Sequence, residues 1–413
     1  MLNTISFQPP TAPVAPRAPM VRTQDGQGGP SVLPAAPNGV LMGRVALLTD
    51  ANELHPALLE AVNEARTSVK VDFELLRGKS GLELSRQLAR RARQGLRVQV
   101  LAWGRPTPGL REAVKAARGL GLQVRLLATE TAGQTGKFLL VDDRMALLGA
   151  LTPPRTTLAR RALLRLTGEA AGELGRQFNH DWAQAGGTPS PLPERHVSRT
   201  TSHELLSSIQ IAGNGAQRKR PRAVVLSALQ RAHSTIDVMA ESLEDGETIA
   251  ALAAARRRGV KVRVLLSGHA EQTRAIARLS AAGIPVRRYS NGGSLQSLEM
   301  QMALVDGETM LFGSAAWTRA GLDGAGELLV EARGGRELSL ARATFLHDWT
   351  HGVVAERPRL GARVAAEVAP ALTAVSRLLA RYSPAEAARS MLGLHVGVQK
   401  LPGGKVKLLT EVR

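Results

Sequence analysis

The sequence predicts an α/β fold that contains two copies of one unit, in which helices alternate with strands. Three observations lead to this prediction. Four sequence blocks recur in the same order, amphipathic helical segments alternate with Val- and Leu-rich strands, and glycines stand between the segments. Such alternation is typical of βαβ units, and we therefore expect two pseudo-symmetric βαβ domains with largely parallel sheets.

An internal repeat is the main evidence for duplication. Residues 95–101 and 259–265 read Gly-Leu-Arg-Val-Gln-Val-Leu and Gly-Val-Lys-Val-Arg-Val-Leu, 164 positions apart. Three further pairs of blocks keep this order at nearly the same separation: 65–69 with 232–236, 121–125 with 283–287, and 178–182 with 345–349. Chance accounts for one such match but not for four in register, so the pattern indicates a duplicated fold.

Periodicity places the helices and strands of each half. The first half predicts a strand at 45–48, a helix at 82–94, a strand opening at Gly95, a helix at 108–119 and a strand at 122–127. The same order recurs in the second half at 247–258, 260–266, 271–282 and 284–289. Each half therefore alternates helix and strand in the same sequence.

The remaining segments divide the chain. Eight prolines and no apolar periodicity predict a disordered tail over residues 1–42. Predicted boundaries then give a first repeat (43–186), a basic linker (187–221), a second repeat (222–352) and a C-terminal extension (353–413). In the extension we expect a helix at 360–381, another helix opening at Ser383-Pro384, and a hairpin over 394–412.

Composition limits the function classes. The 413 residues include no cysteine, which excludes a disulfide framework, a thiolate nucleophile and a Cys-based zinc site. No apolar run reaches the length of a membrane span, and the N-terminus does not resemble a secretory signal, so we expect a cytoplasmic protein. The net charge of +19 indicates an anionic partner, either nucleic acid or acidic lipid headgroups. The alternative is a merely basic surface, in which codon bias accounts for the excess of Arg over Lys.

A motif follows the second strand of each half. The first copy runs from Thr135 through Lys137 to Asp142, and Gly149 follows the aspartate by seven positions. The second copy runs from Glu299 through Gln301 to Asp306, and Gly313 follows at the same distance.

This arrangement resembles the phospholipase D superfamily, which carries two copies of His-x-Lys-x4-Asp, each followed by Gly-Ser-x-Asn. The resemblance covers roughly residues 44–352 and implies a duplicated α/β sandwich, with nuclease-like and cardiolipin-synthase-like relatives. It implies that one His attacks a phosphodiester and the other protonates the leaving oxygen, while Lys holds the phosphate. The Asp is then expected to orient the His, and neither a metal nor another cofactor is expected.

The sequence departs from that pattern at the reacting positions. Thr135 and Glu299 stand where the family has His, and Gln301 replaces the second Lys, whereas Lys137, Asp142 and Asp306 are retained. The glycine segments read Gly-Ala-Leu-Thr at 149–152 and Gly-Ser-Ala-Ala at 313–316, so neither keeps the Asn. We interpret the chain as catalytically inactive, and we expect Asp142 and Asp306 to satisfy backbone or neighbouring donors instead of acting in catalysis. A Thr135 nucleophile with Glu299 as its base stays open as the alternative.

Retained positive charge without the catalytic His favours binding over cleavage. We therefore predict a protein that binds nucleic acid, DNA foremost, through backbone phosphates, with a role in DNA maintenance or repair. The candidate phosphate-binding residues are Lys137, Arg218, Lys219, Arg220, Arg222, Arg256, Arg257 and Arg258. The alternative is a cardiolipin-synthase-like phosphatidyltransferase, or its inactive relative, acting on anionic lipid. A scaffold that uses the tail or the extension is a third interpretation.

Overall fold

The computed structural model describes residues 41–72, 78–104, 106–128, 138–149, 159–192, 207–212, 220–268, 272–323, 327–335, 337–355, 394–400 and 406–412. Several predictions fall on residues outside these ranges. They are most of the 1–42 tail, the two helices of the extension, and the candidate residues Thr135, Lys137, Arg218 and Lys219.

The first repeat forms a seven-stranded sheet flanked by four helices. Its strands are β2 Val45–Leu48, β3 Ser68–Asp72, β4 Arg97–Trp103, β5 Gln123–Leu127, β6 Phe138–Val141, β7 Met145–Gly149 and β8 Leu163–Thr167. Its helices are α1 Ala51–Glu64, α2 Gly78–Arg93, α3 Pro108–Gly119 and α4 Glu169–Gln184. The strand order is β2-β8-β7-β6-β3-β4-β5.

The second repeat builds a nine-stranded sheet on the same plan. Its strands are β1 Leu41–Gly43, β9 Ser207–Ala212, β10 Thr235–Ala240, β11 Lys261–Leu266, β12 Val286–Arg288, β15 Gln301–Val305, β16 Thr309–Gly313, β17 Leu329–Arg333 and β18 Val353–Val354, in the order β1-β9-β17-β16-β15-β10-β11-β12-β18. Its helices are α5 Pro221–Arg231, α6 Gly246–Arg257, α7 Thr273–Ala281, α8 Arg319–Asp323 and α9 Glu337–His351. A small hairpin joins β13 Ser290–Asn291 to β14 Ser294–Leu295.

The predicted α/β class and duplication are confirmed, but the largely parallel sheets are not. In each sheet only three neighbouring strands run parallel, β3-β4-β5 in one and β10-β11-β12 in the other. Strands β6, β7 and β15, β16 are joined by short turns, and a short connection forces antiparallel pairing. The sheets are therefore mixed.

Two predicted segment boundaries also differ from the structure. Strand β9 lies inside the predicted linker 187–221 and pairs with β17, so this segment contributes to the second sheet. Strand β1 includes the end of the predicted tail and pairs with β9. At the other end, β19 Leu394–Lys400 and β20 Val406–Val412 pair antiparallel, which agrees with the predicted hairpin.

Three apolar clusters form the core. One joins inward-facing residues of both sheets with α4 and α9, and includes Phe138, Phe178, Phe312 and Phe345. The second lies beneath α5, α6 and α7, and the third beneath α1, α2 and α3. Each sheet is thus covered by one helical layer on its outer face, and the two repeats share the first cluster. Within the described residues, no helix combines the length and apolar character that crossing a bilayer requires.

Candidate functional site at the junction of the repeats

The main chains of the two repeats are hydrogen-bonded to each other just before β8 and β15. The amide of Arg160 donates to the carbonyl of Ser297 at 2.8 Å, and the amide of Glu299 donates to the carbonyl of Arg160 at 2.8 Å. Arg160 and Leu298 thereby form a parallel bridge. Residues 160 and 299 are therefore held in place by backbone contacts.

Arg160 connects the repeats through its side chain as well. Its Nε and Nη2 donate to the two carboxylate oxygens of Asp348 on α9, at 2.6 and 2.5 Å. Asp348 is 1% exposed. Burial works against the charge of Arg160, but the hydrogen bonds to Asp348 outweigh it and raise the pKa of this guanidinium. Such two-point geometry fixes orientation as well as charge, so Arg160 acts as a structural clamp.

Arg161 faces the residue that occupies the His position of the second motif. Its Nε lies 3.5 Å from Oε2 of Glu299, and the two side chains are 8% and 14% exposed. Burial lowers the pKa of Arg161, and the charge of Glu299 opposes that shift. Arginine nonetheless stays protonated at neutral pH, so this position holds a buried ion pair.

The sheet register shows what Arg161 corresponds to in the second repeat. Leu163 pairs with Gly149, and Leu329 pairs with Gly313, so the residue two positions before Leu329, Glu327, matches Arg161. Glu327 is buried and accepts a hydrogen bond from Ser314 Oγ at 2.6 Å. The same position therefore carries opposite charges in the two repeats.

Sequence reasoning did not include Arg161 among the site residues. The motif and its glycine segment span positions 135–152, whereas Arg161 lies beyond them. An alignment of the strand Leu163–Thr167 with Leu329–Arg333 would have matched Arg161 to Glu327 and revealed the change of charge.

Gln301 begins β15 and is buried. Among the described residues its Oε1 has no hydrogen-bond partner. Its counterpart Lys137 lies outside the described residues, so the structure does not test the predicted convergence of positions 135, 137, 299 and 301.

Asp142 and Asp306 lie at the opposite end of the strands from residue 299. Asp306 follows the last residue of β15, and at about 3.3 Å per residue it stands roughly 20 Å from position 299. Its carboxylate accepts from the amides of His233, Ser234 and Thr235 and from the hydroxyl of Ser234. This agrees with the expectation that Asp306 satisfies backbone and neighbouring donors, and it differs from the His-orienting role that the family resemblance implies for this position.

The first repeat uses Asp142 in the same way. Its carboxylate accepts from the amides of Arg66, Thr67 and Ser68 and from the hydroxyl of Thr67. Asp142 and Asp306 both have a φ near +55°, a conformation that Asp tolerates better than most residues. Although burial opposes it, these hydrogen bonds lower the pKa of both carboxyls. The two aspartates close the turn that leads into β3 or β10.

The described basic candidates differ in their surroundings. Arg222 donates to both oxygens of Asp323 and of Asp245 at 2.8 Å, and these bonds, that to Asp323 first, raise its pKa. Arg258 Nη2 donates to three carbonyls at the end of α5, those of Leu229, Gln230 and Ala232.

Arg220, Arg256 and Arg257 are exposed. No three His, Cys, Asp or Glu side chains group as a metal site within the described part of the chain.

Comparison with known proteins agrees with this fold. Residues 225–349 match the family model described as the PLD-like domain of cardiolipin synthase. The phosphatidylserine synthase of Haemophilus influenzae Rd KW20 has a similar structure, with a TM-score of 0.61 and 11% identity over 81% of this chain and 96% of that one.

Two shorter structures also match. They are the phospholipase D family member Nuc from Salmonella typhimurium (25% identity, TM-score 0.33, 36% of this chain and 99% of that one) and NucT from Helicobacter pylori (17%, 0.30, 33% and 91%). A search of curated protein sequences finds no match. The second repeat thus matches the PLD-like domain of cardiolipin synthase, and the duplicated fold is similar along most of both chains to that of a phosphatidylserine synthase, which agrees with the resemblance to the phospholipase D superfamily.

Proposed function

We propose that this protein binds the phosphodiester backbone of nucleic acid, DNA foremost, and does not cleave it. One observation carries the proposal. Equivalent segments of the two repeats, 78–127 and 246–288, hold eleven and nine Lys and Arg residues but only two acidic residues each. Together they contain 20 of the 54 basic residues and 4 of the 35 acidic ones, so the positive charge is concentrated there. A uniform codon bias toward arginine does not produce this depletion of acids.

These segments carry helices of the outer layers. In the first repeat, α2 and α3 cover the same face of the sheet, and the exposed residues include Arg86, Arg90, Arg93 and Arg97. In the second repeat, Arg256, Arg257 and Lys261 are exposed at the end of α6 and the start of β11. Exposed guanidinium and ammonium groups in such numbers attract phosphates without reading bases.

The other candidate residues contribute unequally to this binding. Arg222 already contacts carboxylates and Arg258 backbone carbonyls, so we expect them to contribute less to phosphate binding than Arg256 and Arg257. Lys137, Arg218 and Lys219 keep their predicted role as phosphate contacts, together with the exposed Arg220.

In its described part, the junction of the repeats lacks the groups that cleavage of a phosphodiester needs. The described segments around it, 159–168, 297–315 and 327–333, contain no His, Cys or Lys. Glu299, the base that the alternative mechanism assigns to Thr135, is paired with Arg161. A hydroxyl nucleophile needs an available base, and Asp142 and Asp306 lie at the far end of the strands.

Fluorescence anisotropy with a labelled DNA duplex over a salt series tests the proposal. We expect the logarithm of the association constant to fall linearly with the logarithm of the salt concentration, since phosphate contacts release counterions. Neutralising three arginines of α2 (Arg86→Gln, Arg90→Gln, Arg93→Gln) should reduce that slope by about 2–3.

The matched control neutralises three exposed arginines outside both basic segments: Arg44→Gln, Arg144→Gln and Arg342→Gln. We expect it to change the slope by less than half as much. If the two triple variants reduce the salt slope equally, the proposal is contradicted. It is also contradicted if the protein binds the duplex no more tightly than a polycation of the same charge.

The family-model match favours a second candidate, in which the anionic partner is a lipid phosphodiester. Flotation with phosphatidylcholine vesicles that contain cardiolipin, in the same salt series, separates the two. Tight vesicle binding without duplex binding would favour the lipid.

A further inference from the structure

We propose that His347 and His351 form a two-histidine site for a divalent transition-metal ion on the last turn of α9. The proposal does not depend on nucleic-acid binding and concerns two residues to which the proposed function gives no role. The two histidines are four residues apart on one helix, which places them on the same face. Their ring centroids lie 4.5 Å apart. Helical histidines at this spacing are a known pair of zinc ligands.

The hydrogen bonds of the two rings leave the same nitrogen of each ring available to a metal. Nδ1 of His347 lies 3.0 Å from Oδ1 of Asp348, and Nδ1 of His351 lies 2.8 Å from the carbonyl oxygen of His347. A carboxylate and a carbonyl can only accept, so each Nδ1 carries the proton, and Nε2 of the neutral ring has a lone pair. Among the described residues, neither Nε2 has a hydrogen-bond partner. Metal-bound histidines commonly have this arrangement, in which the other nitrogen donates to a carboxylate or a carbonyl.

The end of α9 holds both histidines in a fixed place and exposes their rings. Arg160 fixes the neighbouring Asp348, and Ser290 Oγ donates to the carbonyl of His351 at 2.5 Å. The side chain of His347 is 66% exposed, and His351 is exposed as well. A fixed backbone reduces the entropy lost on binding, and exposure lets water complete the coordination of the ion. The C-terminal end of a helix also favours a cation.

The first repeat lacks this pair at the equivalent positions. His180 and Gln184 stand 167 positions before His347 and His351. There the side-chain amide of Gln184 donates to Nε2 of His180 at 3.0 Å, so the nitrogen that would bind an ion is already hydrogen-bonded. The second repeat has His in place of this Gln, and it therefore has two available nitrogens where the first repeat has none.

The chemistry of the two ligands selects the class of ion. Imidazole nitrogens suit Zn²⁺, Ni²⁺ and Cu²⁺, whereas Mg²⁺ and Ca²⁺ prefer oxygen ligands. Cu²⁺ should bind most tightly of the three. An ion on Nε2 of His347 polarises the ring and makes Nδ1–H a stronger donor to Asp348. Binding should therefore stabilise the contact between Asp348 and Arg160, which connects the two repeats.

Isothermal titration of the full chain with Cu²⁺ tests the site. The chain contains no cysteine, so no thiolate competes for the ion. We expect one site that is tighter than any other. His351→Gln, which copies the first repeat, should weaken this site by about tenfold or more, because an ion held by one nitrogen loses the gain from a linked second ligand. His347→Gln should have the same effect.

The matched control is His180→Gln, which removes the equivalent histidine of the first repeat and should leave the Cu²⁺ affinity unchanged. As a second readout, Zn²⁺ should raise the midpoint of thermal unfolding of the unaltered protein and of the control, but not of His351→Gln, because an ion that binds the folded state stabilises it.

Three results would overturn the inference. They are the absence of a tight Cu²⁺ site, an equal loss of affinity in His351→Gln and His180→Gln, and a Zn²⁺-dependent rise of the unfolding midpoint that is the same in all three proteins. Duplex binding is measured without added metal, so its outcome is independent of these results.

Discussion

Arg160 and Asp348, 188 positions apart, form a two-point ion pair that connects the two repeats. The pair stands beside the junction site and orients the main chain that carries Arg161. Because Asp348 is buried, the two residues depend on each other: without Arg160, the carboxylate keeps only its contact with Nδ1 of His347 at 3.0 Å.

We expect Arg160→Gln to lower the free energy of unfolding by about 3–5 kcal/mol, since it leaves the carboxylate of Asp348 buried without its partner. Urea denaturation followed by circular dichroism measures the change. Arg176→Gln is the control, because Arg176 pairs with Glu173 on the surface, where such pairs contribute under about 1 kcal/mol. Similar losses in the two variants would show that the buried pair has no special role.

Asp306→Asn should destabilise the second repeat by about 1–3 kcal/mol, because three amides and a hydroxyl lose a charged acceptor. Asn tolerates the positive φ of this position, so the change tests the hydrogen bonds and not the backbone. Thermal unfolding measures the loss. DNA affinity in 0.1 M salt should be unchanged, and a loss of affinity without a loss of stability would contradict the structural role.

The free energy of unfolding should also fall in acid, because the carboxyls of Asp142 and Asp306 become protonated. The pKa of Asp142 and of Asp306 is lower in the folded chain than in the unfolded one. Their contribution is therefore complete above the unfolded pKa, near 3.9, and is lost as the pH falls through the folded values. The double variant Asp142→Asn/Asp306→Asn should show a shallower loss of stability below about pH 4. If the double variant loses stability with the same pH slope as the unaltered protein, these two carboxyls are not responsible for the acid loss. The exposed control Glu308→Gln should leave the slope unchanged.

Lys70 is a buried cation of the first repeat, with 0% of its side chain exposed. Its Nζ donates to Oδ1 of Asp143 at 2.7 Å, and burial lowers its pKa while Asp143 opposes the shift. We expect Lys70→Met to lower the free energy of unfolding by about 3–5 kcal/mol, because Asp143 stays buried without its partner. Adding Asp143→Asn should recover part of the loss. If the two changes are additive in a double-mutant cycle, the pair is not coupled.

The unaltered protein should not hydrolyse bis-p-nitrophenyl phosphate, since Glu299 is paired with Arg161 and the described segments 159–168, 297–315 and 327–333 hold no His. Release of nitrophenolate, followed by absorbance, is the measurement. Hydrolysis that is abolished by Thr135→Ala or by Glu299→Ala, but not by the control Glu308→Gln, would instead support the Thr-Glu mechanism.

Helices and strands could be predicted from the sequence where the apolar periodicity and the residues that begin or end an element agreed. The predicted helix at 108–119 coincides with α3, where Thr107 caps the first turn and Pro108 opens it. The parallel arrangement did not follow, because strand direction depends on the length of each connection and on which strands become neighbours. Strand β9 was missed for a related reason: its residues stand in a segment rich in polar and basic residues, and pairing with β17 stabilises the strand.

The functional site was predictable in part. Positions 299 and 301 could be located from the repeat, and the loss of both His residues is plain in the sequence. That Asp142 and Asp306 satisfy hydrogen-bond donors was expected, but the donors themselves could not be identified from the sequence, since they lie more than 70 residues earlier. Arg161 was identified only when the register of β8 and β17 was known.

By itself, the sequence determined the duplication, the degenerate motifs and the concentration of positive charge, because these are properties of residue order and composition. The tertiary structure decided that Arg161 meets Glu299 and that Arg160 meets Asp348. Each of these pairs joins residues from different repeats, and no local pattern encodes such a contact. They meet because the two sheets bury their inner faces against a shared apolar cluster, which brings the chain before β8 next to the chain before β15.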